Sequence, residues 1–424
     1  MAISRITPGG IDRRHFLKLA AVTAAYGAGP GLVARSFAAA EMNASQVIKG
    51  VSPQMEIINA KLGVMETPLT LLREHRHTPK ELLFVRFHFP HEGQLAWYGT
   101  TAPPPNDMVR TWIVNVGGLV ERPRRVTIVE LEKMPQEKRV SVLQCAGNGR
   151  SYYAATQKAV GGQWKNGGMG NVEWEGVPLR HFLDAMQLMP APSAHWLTAQ
   201  GWDHPATPQG SDFAKSYHLA DPALDHAILA LKMNGEPIPA AHGGPVRLII
   251  PGFFGNMNMK MLTALNLTAE QSASFYQRLG YRMPLELPAD PHAFKAGDYT
   301  IYNSLPTYGH VIKSVIFSPL PEDKPKAGSV EITGVAFNDG AAKITQVSVS
   351  WDGGKSWTDA EIEPPDSPWA WHHWKVKGDL ASGSNTLMSV ATDALGRTQP
   401  IDGLVRWQPR GYEWNGVERL TITV

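Results

Sequence analysis

The single cysteine of this 424-residue chain constrains the fold more than any other feature. One thiol cannot form an intramolecular disulfide, so a chain of this length depends on a sizeable hydrophobic core. Cys145 follows an apolar strand predicted over Val140–Leu143 and opens a small-residue loop at 145–150. Glycine in such a loop carries no side chain, so a bulky ligand can approach closely. Three interpretations stay open at this point: a buried core cysteine, a thiol nucleophile, and a thiolate ligand to a soft-binding metal.

The first forty residues predict an export signal rather than part of the fold. A twin-arginine pattern at Asp12–Lys18 precedes a broken apolar run at Leu19–Val33 and small residues at Ala38–Ala40. The run is too short and too interrupted for a membrane span, so we expect periplasmic export by the twin-arginine pathway. Cleavage would remove five basic and one acidic side chain, leaving 35 basic and 37 acidic ones. The resulting net charge of −2 does not indicate nucleic acid or anionic lipid as a partner.

The stretch after the leader begins with an extended lead-in over residues 41–78. The alternation in Glu81–Pro90 then predicts a strand with Arg86 and His88 on the same face. Taken alone, such a pair is either a structural contact or part of a site.

A helix is predicted from about Pro178, because the apolar residues of 179–186 recur at helical spacing. Further on, polar residues crowd around glycines between His242 and Lys260, a composition that suits phosphate or amide recognition. The same composition also occurs in ordinary polar loops. Neither a Walker sequence nor a GxGxxG that opens a helix is present, so the sequence supports nucleotide binding poorly.

From about Val311 the chain changes to short alternating strands with regular turns. In Ile344–Trp351, for example, Val347 and Val349 share one face, and the turn Asp352–Gly354 follows. This pattern predicts a β-sandwich of immunoglobulin type. We therefore predict an α+β protein with a signal peptide at 1–40, a first folded domain at 41–308 and a β-sandwich domain at 309–424.

The separate loops together resemble the sulfite oxidase family of molybdenum enzymes, over nearly the whole chain after the leader. The marks, in the family's order, are FVRFH at 84–88, CAGNGR at 145–150, GGQWKNGGMGNVEWEGVPL ending at 179, GWD at 201–203, HGGPVR at 242–247 and RGYEWN at 410–415. The resemblance implies that 41–308 is a molybdopterin-binding catalytic domain, with a mononuclear molybdenum held by the dithiolene of one molybdopterin and by the Cys145 thiolate. Soft sulfur donors suit such a redox metal.

The resemblance also implies a role for each residue that falls on a family motif. Arg86, Tyr281 and Arg410 are expected in catalysis beside Cys145. Pterin- or pocket-binding positions fall on Arg86, His88, Cys145, Arg150, Trp164, Asp203, His242, Arg247, Asn258, Met259 and Lys260. Two positions depart from the common family pattern: Phe87, where many members have asparagine, and Val160, where animal members have lysine.

The activity implied is the oxidation of sulfite to sulfate by an exported bacterial sulfite dehydrogenase. Arg86, Arg410 and Arg150 would hold the oxygens of sulfite, since the guanidinium fork pairs with oxyanions, and Tyr281 would hydrogen-bond the reacting oxygen. Two electrons would leave singly to an external c-type cytochrome, because one cysteine cannot form the CxxCH haem motif. The family also implies a homodimer through the C-terminal domain.

Other functions stay open at this stage. Within the family, the same metal could serve a reductase of S-oxides or of nitrate, or a sulfane dehydrogenase subunit. Outside it, Cys145 with His88 or His242 could form a cysteine hydrolase, although arginines around the thiol fit that chemistry less well. A non-catalytic binding module built on the β-sandwich is the third class.

Overall fold

Strands dominate the fold, and the helices between them are short. The computed structural model describes residues 43–89, 97, 99–205, 207, 209–286 and 300–424, and residues 43–424 group into one compact unit. The predicted leader at 1–40 lies outside the described residues, so export stays a prediction. Within the described ranges, no helix combines the length and the apolar character that a membrane span requires.

The α-helices and strands are numbered separately, each in chain order. The helices are α1 (Ala44–Val47), α2 (Leu69–Leu72), α3 (Asn106–Thr111), α4 (Ile128–Glu132), α5 (Leu179–Met186) and α6 (Phe275–Arg278). The strands are β1 (Glu56–Asn59), β2 (Val64–Glu66), β3 (Ile113–Gly118), β4 (Arg124–Thr127), β5 (Glu137–Gln144), β6 (Met169–Pro178), β7 (Trp196–Gly201), β8 (Ala214–His218), β9 (Ile228–Met233), β10 (Glu236–Pro237), β11 (Arg247–Ile249), β12 (Leu262–Thr268), β13 (Arg282–Pro284), β14 (Ser304–Pro306), β15 (Lys313–Ser318), β16 (Gly328–Phe337), β17 (Ile344–Ser350), β18 (Thr358–Asp359), β19 (Glu361–Ile362), β20 (His372–Leu380), β21 (Ser384–Asp393) and β22 (Leu420–Thr423).

The N-terminal part is built on two five-stranded sheets. One has the order β10-β9-β6-β5 with β11 also paired to β9, and the other has the order β4-β3-β12-β7-β8. Pairing is antiparallel except between β12 and β3. The register of β5 on β6 sets Gln144 opposite Met169, at the very start of β6. Cys145 is therefore the first residue beyond the end of β5, beside the loop that leads into β6.

The C-terminal part is the β-sandwich that the alternating pattern predicts. Its two four-stranded sheets have the orders β15-β16-β20-β19 and β18-β17-β21-β22. Val347 and Val349 both point inward and are fully buried, in a shared core with Trp374 and Leu387. The α+β class is thus confirmed. The first strand of the sandwich begins at Lys313, and the boundary at 308/309 stays a prediction.

Two expectations for the first part of the chain are wrong. The lead-in at 43–78 is not simply extended, because it contains α1, β1, β2 and α2. The predicted strand at 81–90 reduces, within 81–89, to a single bridge between Val85 and Met65. The amides of Leu82 and Leu83 bond to Pro79 O and turn the chain, and the partner strand β2 has only three residues.

Candidate active site

The loop that carries Cys145 is held in place by its own backbone. Cys145 N–H donates to Gly168 O at 2.8 Å, and Gly147 N–H points at Cys145 Sγ at 3.4 Å. Gly149 has φ +86°, and a Cβ there would lie 2.4 Å from Trp414 Cδ1, so the turn requires glycine. Burial raises the pKa of the Cys145 thiol, against the opposing effects of Arg150, Gly147 N–H and Arg86. A cation or metal at Sγ would favour the thiolate.

A single cavity collects most of the side chains that the sequence assigned to the site. It lies at the carboxyl end of β5, against the 255–260 turn and the residues around Tyr281. Ten of the thirteen predicted site residues line it: Arg86, His88, Cys145, Asp203, His242, Arg247, Asn258, Met259, Lys260 and Tyr281.

The wall of this cavity is rich in buried cations and poor in carboxylates. Arg86, Arg247 and Lys260 line it, and Asp203 is the one carboxylate among the described lining residues. Burial lowers the pKa of Arg247 to about 9, and burial together with Arg247 holds the pKa of Lys260 well below its usual range. Burial raises the pKa of Asp203 to about 6, against the attraction of Lys260. Buried cations that outnumber their counter-ions are stabilised by an anionic ligand.

Arg86 is the cation with unused hydrogen-bonding capacity. Its Nη1 is buried and has no hydrogen-bond partner among the described residues, whereas Arg247 donates to the carbonyls of His242 and Asn258. An unpaired buried guanidinium N–H is costly, so this donor is suited to an oxygen of a bound anion.

His88 and Tyr281 form a hydrogen-bonded pair on the same wall, with Nε2 and Oη 2.6 Å apart. Burial and the positive charge of Arg86 hold the pKa of His88 well below its usual range, so the imidazole is neutral at pH 7. Burial raises the pKa of Tyr281, which therefore keeps its proton. With Nε2 of His88 as the donor, the Tyr281 hydroxyl proton remains available to an oxyanion in the cavity.

Three predicted residues do not line the cavity. Arg150 donates through Nε to Arg410 O at 2.7 Å and through Nη1 to Gly162 O at 2.8 Å, so its guanidinium bridges two backbone segments. Trp164 is buried edge-on against Phe84, at 5.9 Å between ring centroids. The Arg410 guanidinium lies over the ring of Phe275 at 5.2 Å, outside the lining set.

Comparison with known proteins identifies both parts of the chain. The family model for the oxidoreductase molybdopterin binding domain matches residues 101–276, and that for the Mo-co oxidoreductase dimerisation domain matches residues 305–424. The mitochondrial sulfite oxidases of Rattus norvegicus and Homo sapiens are each 29% identical, over 389 and 385 residues. The chain thus carries the two domains of a molybdenum oxidoreductase, and the sulfite oxidases are among the proteins it is similar to.

The sequence alignments cover only part of each relative, and one solved structure is similar over most of its length. Each alignment to a sulfite oxidase covers 88% of this chain and 66% of the relative, so the chain spans just under two thirds of the length of those proteins. Inducible nitrate reductase [NADH] 1 of Glycine max is 31% identical over 362 residues, which is 79% of this chain and 38% of that protein. The crystal structure of the sulfane dehydrogenase SoxCD from Paracoccus pantotrophus superposes with a TM-score of 0.71 and 26% identity over 94% of both chains.

The residues present fit the molybdenum–molybdopterin cofactor that the molybdopterin-binding domain implies. Among the described residues no group of three or more His, Cys, Asp and Glu could hold a metal ion, so Cys145 would need non-protein donors such as a dithiolene. The excess of buried cations suits the negative charge of a pterin phosphate. Gly243 has φ +96°, and a Cβ there would lie 2.6 Å from Lys260 Cγ, so glycine lets this loop lie close to the lysine.

Two predicted cofactor residues, His242 and Asn258, form hydrogen bonds to backbone groups in the wall of the cavity. His242 Nε2 lies 2.7 Å from Lys80 O, which fixes that nitrogen as the donor, and burial lowers the pKa of His242 to about 3. Asn258 accepts from Ile250 N–H at 2.6 Å and donates to Phe253 O and Phe254 O. The Asn258 amide therefore shapes the 253–258 turn.

Sequence reasoning missed several residues of the site. Asn256 lines the cavity with a buried Oδ1 that has no partner in the described structure, and its place in the glycine-rich polar run was the available signal. Phe213 packs on His88 at 4.1 Å between centroids, and Tyr412 stacks on Tyr281 at 4.9 Å. Lys215 is fully buried with Nζ 5.5 Å from the centre of the Tyr281 ring. The local patterns around Phe213 and Lys215 gave no signal.

Proposed function

We propose that this chain oxidises sulfite to sulfate at a molybdenum–molybdopterin centre and passes the electrons singly to an external c-type cytochrome. The observation that carries the proposal is the unpaired Nη1 of Arg86 in the same cavity as Cys145 and the His88–Tyr281 pair. A small oxyanion would satisfy that donor and would accept a second hydrogen bond from Tyr281.

The chain's own residues would bind and orient the substrate. When bound, the cofactor supplies the two-electron acceptor and the oxygen atom that sulfite gains. Arg86 would hold a sulfite oxygen, and neutral His88 would hold the Tyr281 hydroxyl in position to donate to another. Tyr281 keeps its proton because burial raises its pKa, so it acts as a hydrogen-bond donor and not as a base.

Sulfane oxidation is the second candidate, and a structural similarity favours it. SoxCD matches this fold over 94% of both chains, although at 26% identity. A sulfane reacts through a terminal sulfur atom that carries no oxygens, whereas sulfite places three oxygens around the reacting atom. The unpaired Arg86 favours the oxyanion. Reduction of nitrate or of S-oxides by the same centre is the further alternative.

One experiment separates these functions. The purified full chain is analysed for molybdenum and assayed for dye reduction with sulfite, thiosulfate and a sulfane-carrying protein thiol, and for reduced-dye oxidation with nitrate and an S-oxide. Stoichiometric molybdenum with sulfite as the best substrate supports the proposal. Molybdenum with preferred turnover of another substrate would reassign the activity, and a metal-free active hydrolase or a loaded protein without turnover would overturn it.

The cysteine count supports an external electron acceptor. Two electrons must leave after each turnover, and one cysteine cannot attach a c-type haem through CxxCH. We therefore propose a separate c-type cytochrome that docks transiently. Stopped-flow mixing of sulfite-reduced protein with cytochromes of the same compartment should show reduction that slows as salt rises. Rapid reduction of oxygen without reduction of any cytochrome would make the protein an oxidase.

Location and assembly belong to the same proposal. The twin-arginine leader would export the folded, loaded protein to the periplasm, and replacing Arg13 and Arg14 with lysine should retain it in the cytoplasm. The match of residues 305–424 to the Mo-co oxidoreductase dimerisation domain supports a homodimer through the β-sandwich. Fractionation of cells into cytoplasm and periplasm, for the wild type and for the variant with both arginines replaced, tests the export.

A further inference from the structure

A buried carboxylate outside the cavity, Glu66, lies at the end of β2 and is only 3% exposed. Its two oxygens accept the Lys165 N–H at 3.0 and 2.9 Å, and Oε2 also accepts the Gly167 N–H at 3.2 Å. The next residue, Thr67, donates its own N–H to Gly167 O at 3.1 Å. The end of β2 therefore fixes the backbone of the 164–168 loop through four contacts.

That loop is the surface on which the cysteine loop lies. Gly168 O accepts the Cys145 N–H at 2.8 Å, Lys165 O accepts the Gly149 N–H at 2.6 Å, and Trp164 O accepts the Ser151 N–H at 3.0 Å. In return, Gly168 N–H donates to the Asn148 side chain at 2.9 Å. The path of the 145–151 backbone is thus set by the loop that Glu66 holds.

The same short strand also holds the segment that carries Arg86. Met65 exchanges both backbone hydrogen bonds with Val85, each at 3.0 Å, immediately before Arg86. Adjacent residues of β2 therefore bind the two halves of the site, Met65 the arginine half and Glu66 the cysteine half.

Keeping a carboxylate at this position has a cost. Burial raises the pKa of Glu66 to about 7, and nearby Glu56 adds to the rise, while the amides of Lys165 and Gly167 oppose it. The Lys165 ammonium does not neutralise Glu66 directly, because it pairs with Glu56 at 2.9 Å. The hydrogen bonds that Glu66 accepts come from backbone amides, and its raised pKa means that ionising it costs stability, which favours a role other than stability.

We infer that Glu66 is a positioning residue that sets the placement of the Cys145 loop relative to Arg86. Glu66 does not line the cavity and makes no hydrogen bond to the thiol, and although its charge adds to the raised pKa of Cys145, its contacts are with the 164–168 backbone, to which we assign the positioning. The role in turnover rests on the proposed function, whereas the positioning of the backbone does not.

Hydrogen exchange tests the backbone part. In Glu66→Gln the side chain keeps its size, but its amide group would place an N–H against the N–H donors of the loop. Amide exchange at Cys145, Gly149 and Ser151 should become faster by roughly 10- to 150-fold, the effect of losing one charge-assisted hydrogen bond. Glu56→Gln is the matched control, because Glu56 contacts Lys165 through the side chain alone, and it should leave these amides unchanged.

Turnover tests the functional part. When rates are expressed per bound molybdenum atom, Glu66→Gln should lower kcat by roughly tenfold or more, and its molybdenum EPR signal should shift, while Glu56→Gln matches the wild type in both. A merely structural role would lower the yield of loaded protein but leave kcat per molybdenum and the EPR signal unchanged, and that result would overturn the inference. Wild-type exchange rates at the amides of Cys145, Gly149 and Ser151 in Glu66→Gln would overturn the inference as well.

A folding failure of Glu66→Gln leaves the inference testable through Glu66→Asp. The aspartate keeps the charge but shortens the side chain by one methylene, so it should give intermediate exchange rates and intermediate kcat per molybdenum. Wild-type values in Glu66→Asp would again count against positioning. If the wild type does not oxidise sulfite, the proposed function is wrong. The exchange data would still test whether Glu66 positions the backbone of the Cys145 loop.

Discussion

Replacement of Arg86 is the sharpest test of the proposed substrate. Arg86→Gln removes the guanidinium whose Nη1 has no partner among the described residues, but keeps the backbone carbonyl that accepts from Lys260 Nζ at 3.3 Å. A hydrogen bond to a charged group contributes about 1.5–3 kcal/mol. Losing one should therefore lower kcat/KM for sulfite by roughly 10- to 150-fold.

The assay is sulfite-dependent reduction of a dye across a wide range of sulfite concentrations. The loss should be largest at low sulfite, because Arg86 would bind the substrate as well as the developing sulfate. Arg86→Lys keeps the charge without the planar fork and should recover only part of the loss. The control is Arg110→Gln, at an exposed arginine in the last turn of α3. If Arg86→Gln stays within about twofold of wild type while Arg110→Gln does the same, the pocket assignment is wrong.

The remaining predictions concern the thiol, the second arginine, one buried lysine and the assembly. Cys145→Ser replaces a soft donor with a hard one and should nearly abolish sulfite oxidation in a folded protein, which metal analysis and activity would check together. Arg410→Met should cost less than Arg86→Gln in kcat/KM at low sulfite, because the Arg410 guanidinium lies over Phe275 outside the cavity; an equal loss would contradict this ranking. Burial lowers the pKa of Lys215 to about 7, below its unfolded value, so the folded state gains stability as pH rises from 7 towards 10.5. Relative to Lys215→Met, wild-type unfolding free energy should rise by about 1.4 kcal/mol per pH unit between pH 8 and 10, and parallel pH curves would refute this. Sedimentation should show a homodimer, and a monomer at working concentration would remove that claim alone.

Local patterns predicted the regular elements well. The helical spacing after Pro178 became α5 at Leu179–Met186, and the alternation around Val347 became a strand of the β-sandwich. Such elements are set by period and burial, which a sequence carries within about ten residues. Even where the predicted strand at 81–90 was wrong, Arg86 and His88 still face one cavity, because residues two apart in extended backbone share a side.

Contacts between distant segments could not be predicted from such patterns. Nothing near Arg150 indicates that its guanidinium is occupied by the carbonyls of Gly162 and Arg410, one of them 260 residues away. For the same reason the sequence could not show that Phe213 packs on His88 or that Glu66 holds the loop beneath Cys145. The identities of these residues are common in ordinary cores, and their roles come from tertiary packing.

The chain segment at 409–414, which connects β21 to β22, shows how the C-terminal part completes the site. Glu413 N–H donates to Ala146 O at 2.9 Å, and Pro409 O accepts from Val160 N–H at 2.8 Å, so this segment binds the cysteine loop itself and the chain that follows it. Tyr412 then stacks on Tyr281, the residue proposed to contact substrate. The RGYEWN motif is therefore used mainly through its backbone and its aromatic rings, with the Arg410 side chain directed to Phe275. A substitution that shifts the β-sandwich should therefore also move the cysteine loop and Tyr281, because both contact the 409–414 segment. Packing between the two parts of the chain thus affects the geometry of the cavity as well as stability.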